Sequence, residues 1–201
     1  MRIKYKEKIL FYSYMSSNSL VDLMEKCKED YYQTENKNMF FKKSQKMNCA
    51  KKVSETFPIE EMINTTVYIL PNTNKIIFNY PIFKLYATEE LYIIFIQKVI
   101  NLYDILLEIY STFEVHVILD TFTITAAERY KNIINLFCKK CMNSEKNYTK
   151  SLQGMYIYYT PSMIESISTF LKPFIDPLLT ERVIYYSKAE SNSLLEKLHM
   201  S

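Results

Sequence analysis

One glycine, Gly154, serves the whole 201-residue chain. Phosphate-binding loops need several, because only a residue without Cβ lets the backbone wrap an anion closely. Neither G-x-G-x-x-G nor G-x-x-x-x-G-K-[ST] can be written here, so dinucleotide-binding and P-loop functions fall away. Histidine is almost as scarce: His116 and His199 are the two imidazoles. A nucleophilic triad needs an imidazole base beside its nucleophile. His116 lies inside an apolar strand-like run, where a sheet histidine is the simpler reading. No paired carboxylates and no metal-ligand spacing stand out, so no enzyme, metal site or cofactor is expected.

Cysteine is limited to Cys27, Cys49, Cys138 and Cys141. The last two form a C-x-x-C, but inside a helical pattern. A redox pair needs a helix N-terminus to lower its thiolate pKa, and a zinc site needs two further ligands. Reduced, structural thiols are the expectation, which fits a cytoplasmic location. Long apolar runs are missing too. The longest, around Leu91 to Ile100, is broken by Gln97 and Lys98, well short of the ~20 residues that span a bilayer. The opening MRIKYKEKILFYSYMSSN is interrupted by charged and polar residues and has no signal-peptide core.

What is present is an ordinary globular composition: 48% hydrophobic, 23% charged and a net charge of +3. That charge is too small to argue for nucleic acid. Lysine clusters gather in residues 1–52, as KYKEK, FFKK, SQK and AKK. They read as a variable basic segment over residues 1–60, partly helical, able to touch anionic lipid. A domain follows over residues 61–201.

The pattern predicts a strand at Ile9–Tyr14, a helix from Asn18 to Tyr31, and a polar loop from Gln33 to Lys52. Pro58 opens a short helix. TTVYIL (65–70) and KIIFNY (75–80) read as a hairpin across the Pro71–Asn74 turn. A long helix runs from Thr88, its N-cap, to Ser111. Strands at Glu114–Asp120, Gly154–Tyr159 and Glu181–Ser187 alternate with helices at Thr125–Cys141, with Thr125 as cap and Glu128 three residues on in a capping-box pattern, and at Pro161–Leu171. A helix over Ser191–His199 closes the chain. Apolar, β-branched strands alternating with helices mean an α/β fold with a mainly parallel sheet.

Residues from about Lys75 to Leu198 resemble the CRAL-TRIO lipid-binding family, which includes phosphatidylinositol-transfer, retinaldehyde-binding and tocopherol-binding proteins. The strongest match is TPSMIESISTFLKPFIDPLLTERVIYYS. Pro161 and Pro173 have the family's spacing, and Lys172-Pro173-Phe174-Ile175-Asp176-Pro177 follows its K-P-F-L-D-P-like motif. VHVILD resembles the family's earlier strand ending in Asp, here Asp120, read as a turn or helix-capping residue.

The resemblance implies a mixed, mainly parallel sheet flanked by helices, with a gate helix over an apolar pocket. It implies non-catalytic binding of a lipid or small hydrophobic ligand, with transfer at membranes. Met163, Ile164, Ile167, Phe170, Leu171, Phe174, Ile175 and Leu178 would supply the gate. Tyr156 and Tyr158, alternating with Met155 and Ile157, would line the pocket floor. Headgroup positions fall on Lys150 and Arg182. Arg182 keeps the family's charge, whereas Lys150 reverses an acidic one and suits a phosphate better than inositol hydroxyls. The divergent BCH-type branch suggests the rival function: a module that binds a small GTPase or its regulator and has no lipid pocket. Peripheral membrane contact accompanies the first reading, through an exposed apolar gate and the basic segment.

Overall fold

The computed structural model describes residues 19–35 and 42–200. The strand expected at Ile9–Tyr14 lies outside the described residues. The chain divides into two compact units: Met1–Thr66 with Ile82–Tyr92, and Val67–Pro81 with Ile93–Ser201.

The first unit is helical. Helix α1 covers residues 19–34, followed by α2 (Lys42–Thr56) and α3 (Ile59–Thr66). Residues 42–52, expected as loop, are therefore helix. Their polarity disguised them: Lys, Gln, Met and Ala all favour helix, and Cys49, Ala50 and Val53 share one buried stripe. Pro58 does precede a short helix, with Glu60 and Glu61 in its first turn. The expected strand at Thr65 starts two residues late. The hydroxyls of Thr65 and Thr66 donate to the carbonyls of Glu61 and Met62, each at 2.8 Å, and so complete α3 instead. Thr66 also accepts the Tyr86 hydroxyl at 2.9 Å, and burial pushes that phenol's pKa up.

The second unit carries a five-stranded sheet in the order β1-β2-β3-β4-β5. The strands are Val67–Ile69, Lys75–Asn79, Phe113–Ile118, Leu152–Tyr158 and Val183–Tyr185. β1 and β2 form the expected antiparallel hairpin, with Asn72 in the left-handed region at φ 60°. The other pairings are parallel. Between them run α4 (Tyr80–Tyr86), a 3₁₀ turn (Glu89–Leu91), α5 (Tyr92–Tyr110), α6 (Ile124–Met142), α7 (Tyr148–Ser151) and α8 (Ile164–Leu171). A second 3₁₀ turn (Lys172–Phe174) and α9 (Pro177–Thr180) precede β5, and α10 (Lys188–Met200) follows it.

Strand order decides where the helices go. Parallel crossovers are right-handed, so strands added one after another in one direction put every crossover helix on the same face. Ring contacts agree. Phe95 of α5 meets Phe78 of β2 at 6.0 Å, and Tyr103 stacks on Phe113 of β3 at 4.5 Å. Phe137 of α6 meets Tyr103 at 6.0 Å. This is the crossover face. On the opposite face, Ile77 and Tyr158 cluster with Leu198 of α10, and Tyr68, Tyr156, Tyr186, Leu194 and Leu195 pack around them.

Two capping expectations are corrected. Thr123, not Thr125, caps α6, its hydroxyl accepting from the Ala126 N–H at 3.2 Å. Thr88 makes no side-chain cap bond. The Glu90 carboxyl is held below its usual pKa by its own backbone N–H and by the Thr88 hydroxyl.

Candidate functional site

The K-P-F-I-D-P motif forms the connection from α8 toward β5. Pro173 sits in the 3₁₀ turn, where its fixed φ fits. Asp176 caps α9, its carboxylate accepting from the Leu178 N–H at 2.9 Å, and Pro177 takes the first helical position. The motif's proline and aspartate spacing is thus explained by local backbone needs.

α8 is amphipathic. Ile167 and Leu171 are buried, Ile164 and Phe170 half-buried, and Glu165, Ser166 and Thr169 exposed. The helix and its 3₁₀ turn pack against α6. Past this anchored stripe the apolar side chains open outward. Met163 and Leu178 are each 53% exposed, while Phe174 and Ile175 are half-buried. Burial costs such side chains rotamer entropy and returns apolar contact; Met163 and Leu178 leave that contact unmade.

The side chain of Ser168 on α8 meets the Tyr185 hydroxyl at 3.5 Å. Tyr185 is the register partner of Ile157, and Val183 of Met155. Side chains alternate along a strand, so Met155, Ile157, Val183 and Tyr185 share the crossover face with α8. Tyr156 and Tyr158 point the other way, toward α10. The expected site residues are therefore divided between two faces: α8, expected as the gate, lies over one, and the two tyrosines stand on the other. The alternation of β4 was visible in the sequence. Which half of it met α8 was not, because that depends on strand order and crossover hand.

Lys150 and Arg182 do come together. An Nη of Arg182 donates to the Lys150 carbonyl at 3.0 Å and also to the Leu152 carbonyl. The Arg182 carbonyl in turn accepts the Met155 N–H at 2.9 Å, extending the β4–β5 ladder. Arg182 thereby ties the start of β5 to the start of β4. The Lys150 side chain is exposed.

The α10 face holds His116, a sheet histidine as the sequence reading expected, together with partners that reading did not name. His116 is buried, with Nδ1 2.9 Å from the Tyr158 hydroxyl and Nε2 3.3 Å from a Glu114 carboxylate oxygen. Its ring stacks on Tyr156 at 4.8 Å and 17°. Tyr186 lies parallel to Tyr156 at 6.3 Å and 4°. The single glycine belongs here. A Cβ on Gly154 would sit 3.0 Å from the Tyr156 ring end, so its absence lets that ring lie back along the strand. The bulge between Phe113 and Glu114 brings Gly154, rather than Gln153, opposite Glu114. Glu114, His116, Gly154, Tyr156 and Tyr158 recur at every second residue, and that spacing was the signal available in the sequence.

The C-x-x-C pair is two free thiols. Burial pushes the Cys138 thiol up to about 11 and the Cys141 thiol up to about 12. Neither is a thiolate at neutral pH. Among the described residues no group of His, Cys, Asp and Glu side chains could hold a metal ion, and no helix is long and apolar enough to cross a membrane.

No curated protein matches the chain. A family model does: the CRAL/TRIO domain aligns over residues 87–201, well over half of the sequence. That stretch takes in α5, the three later parallel strands, the K-P-F-I-D-P connection and α10. On that match, together with the mixed, mainly parallel sheet, the chain belongs to the CRAL/TRIO domain family.

Proposed function

We propose that the chain binds a lipid or another small hydrophobic ligand without catalysis, and passes it to or from a membrane surface. The family membership supports the ligand class. The observation that carries the reading to particular residues is the segment from α8 to α9. It is anchored by Ile167 and Leu171 and leaves Met163 and Leu178 exposed. The ligand's apolar part lies between this segment and the β4–β5 surface of Met155, Ile157, Val183 and Tyr185. These four replace Tyr156 and Tyr158 as the floor. Each buried methylene contributes about 0.8 kcal/mol, so a long acyl chain is held with no reactive group. Lys150 and the free edge of the Arg182 guanidinium receive an anionic headgroup at the sheet's end.

The test is organic extraction of the purified protein followed by mass spectrometry, then uptake of labelled lipid from vesicles. About one apolar molecule per chain is the expected result. Phe174→Asp or Leu178→Asp abolishes uptake while the far-UV circular dichroism stays unchanged. Lys150→Glu weakens uptake of anionic lipid more than of neutral lipid. A ligand-free protein that takes up no labelled lipid sinks the carrier reading. Capture of a small GTPase by that same protein would establish the interaction-module reading in its place.

A further inference from the structure

His116 is a buried titratable group that the proposed ligand site leaves unused. The groups around it can be named from every neighbouring strand and helix. Glu114 stands on its own strand, and Lys75 on β2 is Glu114's register partner. Tyr156 and Tyr158 stand on β4, and Tyr186 follows β5. His199 acts on it from α10.

The hydrogen bonds fix one tautomer. An ionised carboxylate only accepts, so Nε2 carries the proton toward Glu114. Nδ1 is then a bare lone pair and accepts the Tyr158 hydroxyl. Each group is satisfied only while the ring is neutral. A second proton, on Nδ1, makes both ring nitrogens donors. Tyr158 must then turn its O–H away from the ring, toward the apolar side chains that α10 lays over it. His199 on α10 also acts against a positive charge on this ring.

We propose that His116 is a proton-operated latch: protonation of its ring releases α10 from the sheet face formed by Tyr156, Tyr158 and Tyr186. The direction of the ring's titration agrees. Burial lowers the pKa of His116 below the ordinary 6.5, and outweighs the opposing pull of Glu114, while Lys75 and His199 lower it further. A depressed histidine binds its proton more readily when the face is open. Closure is thus fully favoured above about 6.5 and is lost as pH falls through the lower, closed-state value. The release uncovers an aromatic surface on the sheet and an apolar stripe on α10 at Leu194, Leu195 and Leu198.

The test is hydrogen exchange of the full chain at about pH 7.5 and about pH 5, corrected for the intrinsic pH dependence of exchange. The expected result is a loss of protection on the order of tenfold in α10 at the lower pH, with α5 unchanged. His116→Gln, a neutral residue that still donates and accepts, should hold α10 at one protection level across the range. Unchanged α10 protection in the wild type overturns the proposal. So does an acid loss that persists in a folded His116→Gln. If that variant does not fold, the wild type and His199→Gln decide the matter by NMR. With only two histidines in the chain, the remaining imidazole signal of His199→Gln is His116. Its titration midpoint must coincide with the midpoint of α10 exposure in the same protein, and separate midpoints overturn the latch.

Discussion

The two faces of the sheet solve the same burial problem with different chemistry. The crossover face is aliphatic and aromatic: Phe113, Val115 and Ile157 lie under helices that each join two paired strands. Its contacts include the ring pairs Phe78–Phe95 and Tyr103–Phe113 and the hydroxyl contact of Ser168 with Tyr185. The α10 face carries Glu114, His116 and the tyrosines Tyr68, Tyr156, Tyr158 and Tyr186, under a helix that joins no pair of strands. α10 is held by specific bonds. Ser187 and Glu190 cap each other, with the Ser187 N–H donating to Glu190 at 2.9 Å. The buried Ser191 hydroxyl accepts the Tyr159 N–H and donates to the Ser187 carbonyl, both at 2.7 Å. Apolar packing is tolerant and pH-independent, whereas a polar cluster is exact in its partners and conditional on protonation. The difference places stability on one face and responsiveness on the other.

The contrast can be broken most forcefully at Phe113. Phe113→Ala removes a fully buried ring stacked on Tyr103 and should cost about 3–5 kcal/mol in chemical denaturation, equally at pH 7 and at pH 5. Leu198→Ala, on the opposite face, should cost about 2 kcal/mol, near the low end for such changes, because α10 can settle into the gap. Its cost should concentrate in α10 when read by hydrogen exchange. A Leu198→Ala effect spread evenly over the sheet would show that the two faces unfold as one unit.

Gly154 sharpens the comparison on a smaller scale. Gly154→Ala places a methyl 3.0 Å from the end of the Tyr156 ring. The ring must give by a few tenths of an ångström where it stacks on His116, at about 1 kcal/mol. In a Tyr156→Ala background the same change should be neutral or slightly stabilising, because alanine restricts the unfolded chain. Equal costs in both backgrounds would remove Tyr156 as the reason for this glycine. The smallest effect belongs to the crossover face: Thr123→Ala should cost about 1 kcal/mol through loss of the α6 cap, and Thr125→Ala only a few tenths. The opposite ranking would restore Thr125 as the cap.

Much of the fold was legible because it depends on local physics. Asn72 in its left-handed turn, Pro58 ahead of α3, and the Asp176-Pro177 helix start are decided within a few residues. So are the apolar runs of β3 and β4, which no solvated segment would carry. α2 was hidden because its polarity spoke for loop while its helix-forming residues spoke for helix. The cap of α6 was misplaced by two residues because two threonines and a capping-box spacing compete at one helix start.

The sequence by itself determined that the chain is an α/β protein with a sheet of mainly parallel strands. It also determined that phosphate loops are excluded and that the K-P-F-I-D-P stretch stands between a helix and a strand. Those properties follow from residue type and short spacing. Tertiary structure alone decided which side of β4 meets α8, that Arg182 clasps the backbone at Lys150 and Leu152, and that His116 sits between Glu114 and Tyr158. The physical reason is the same in all three cases. A strand's alternation offers two equivalent faces, and only the order of strands and the right-handed crossover between them assigns each face its neighbours.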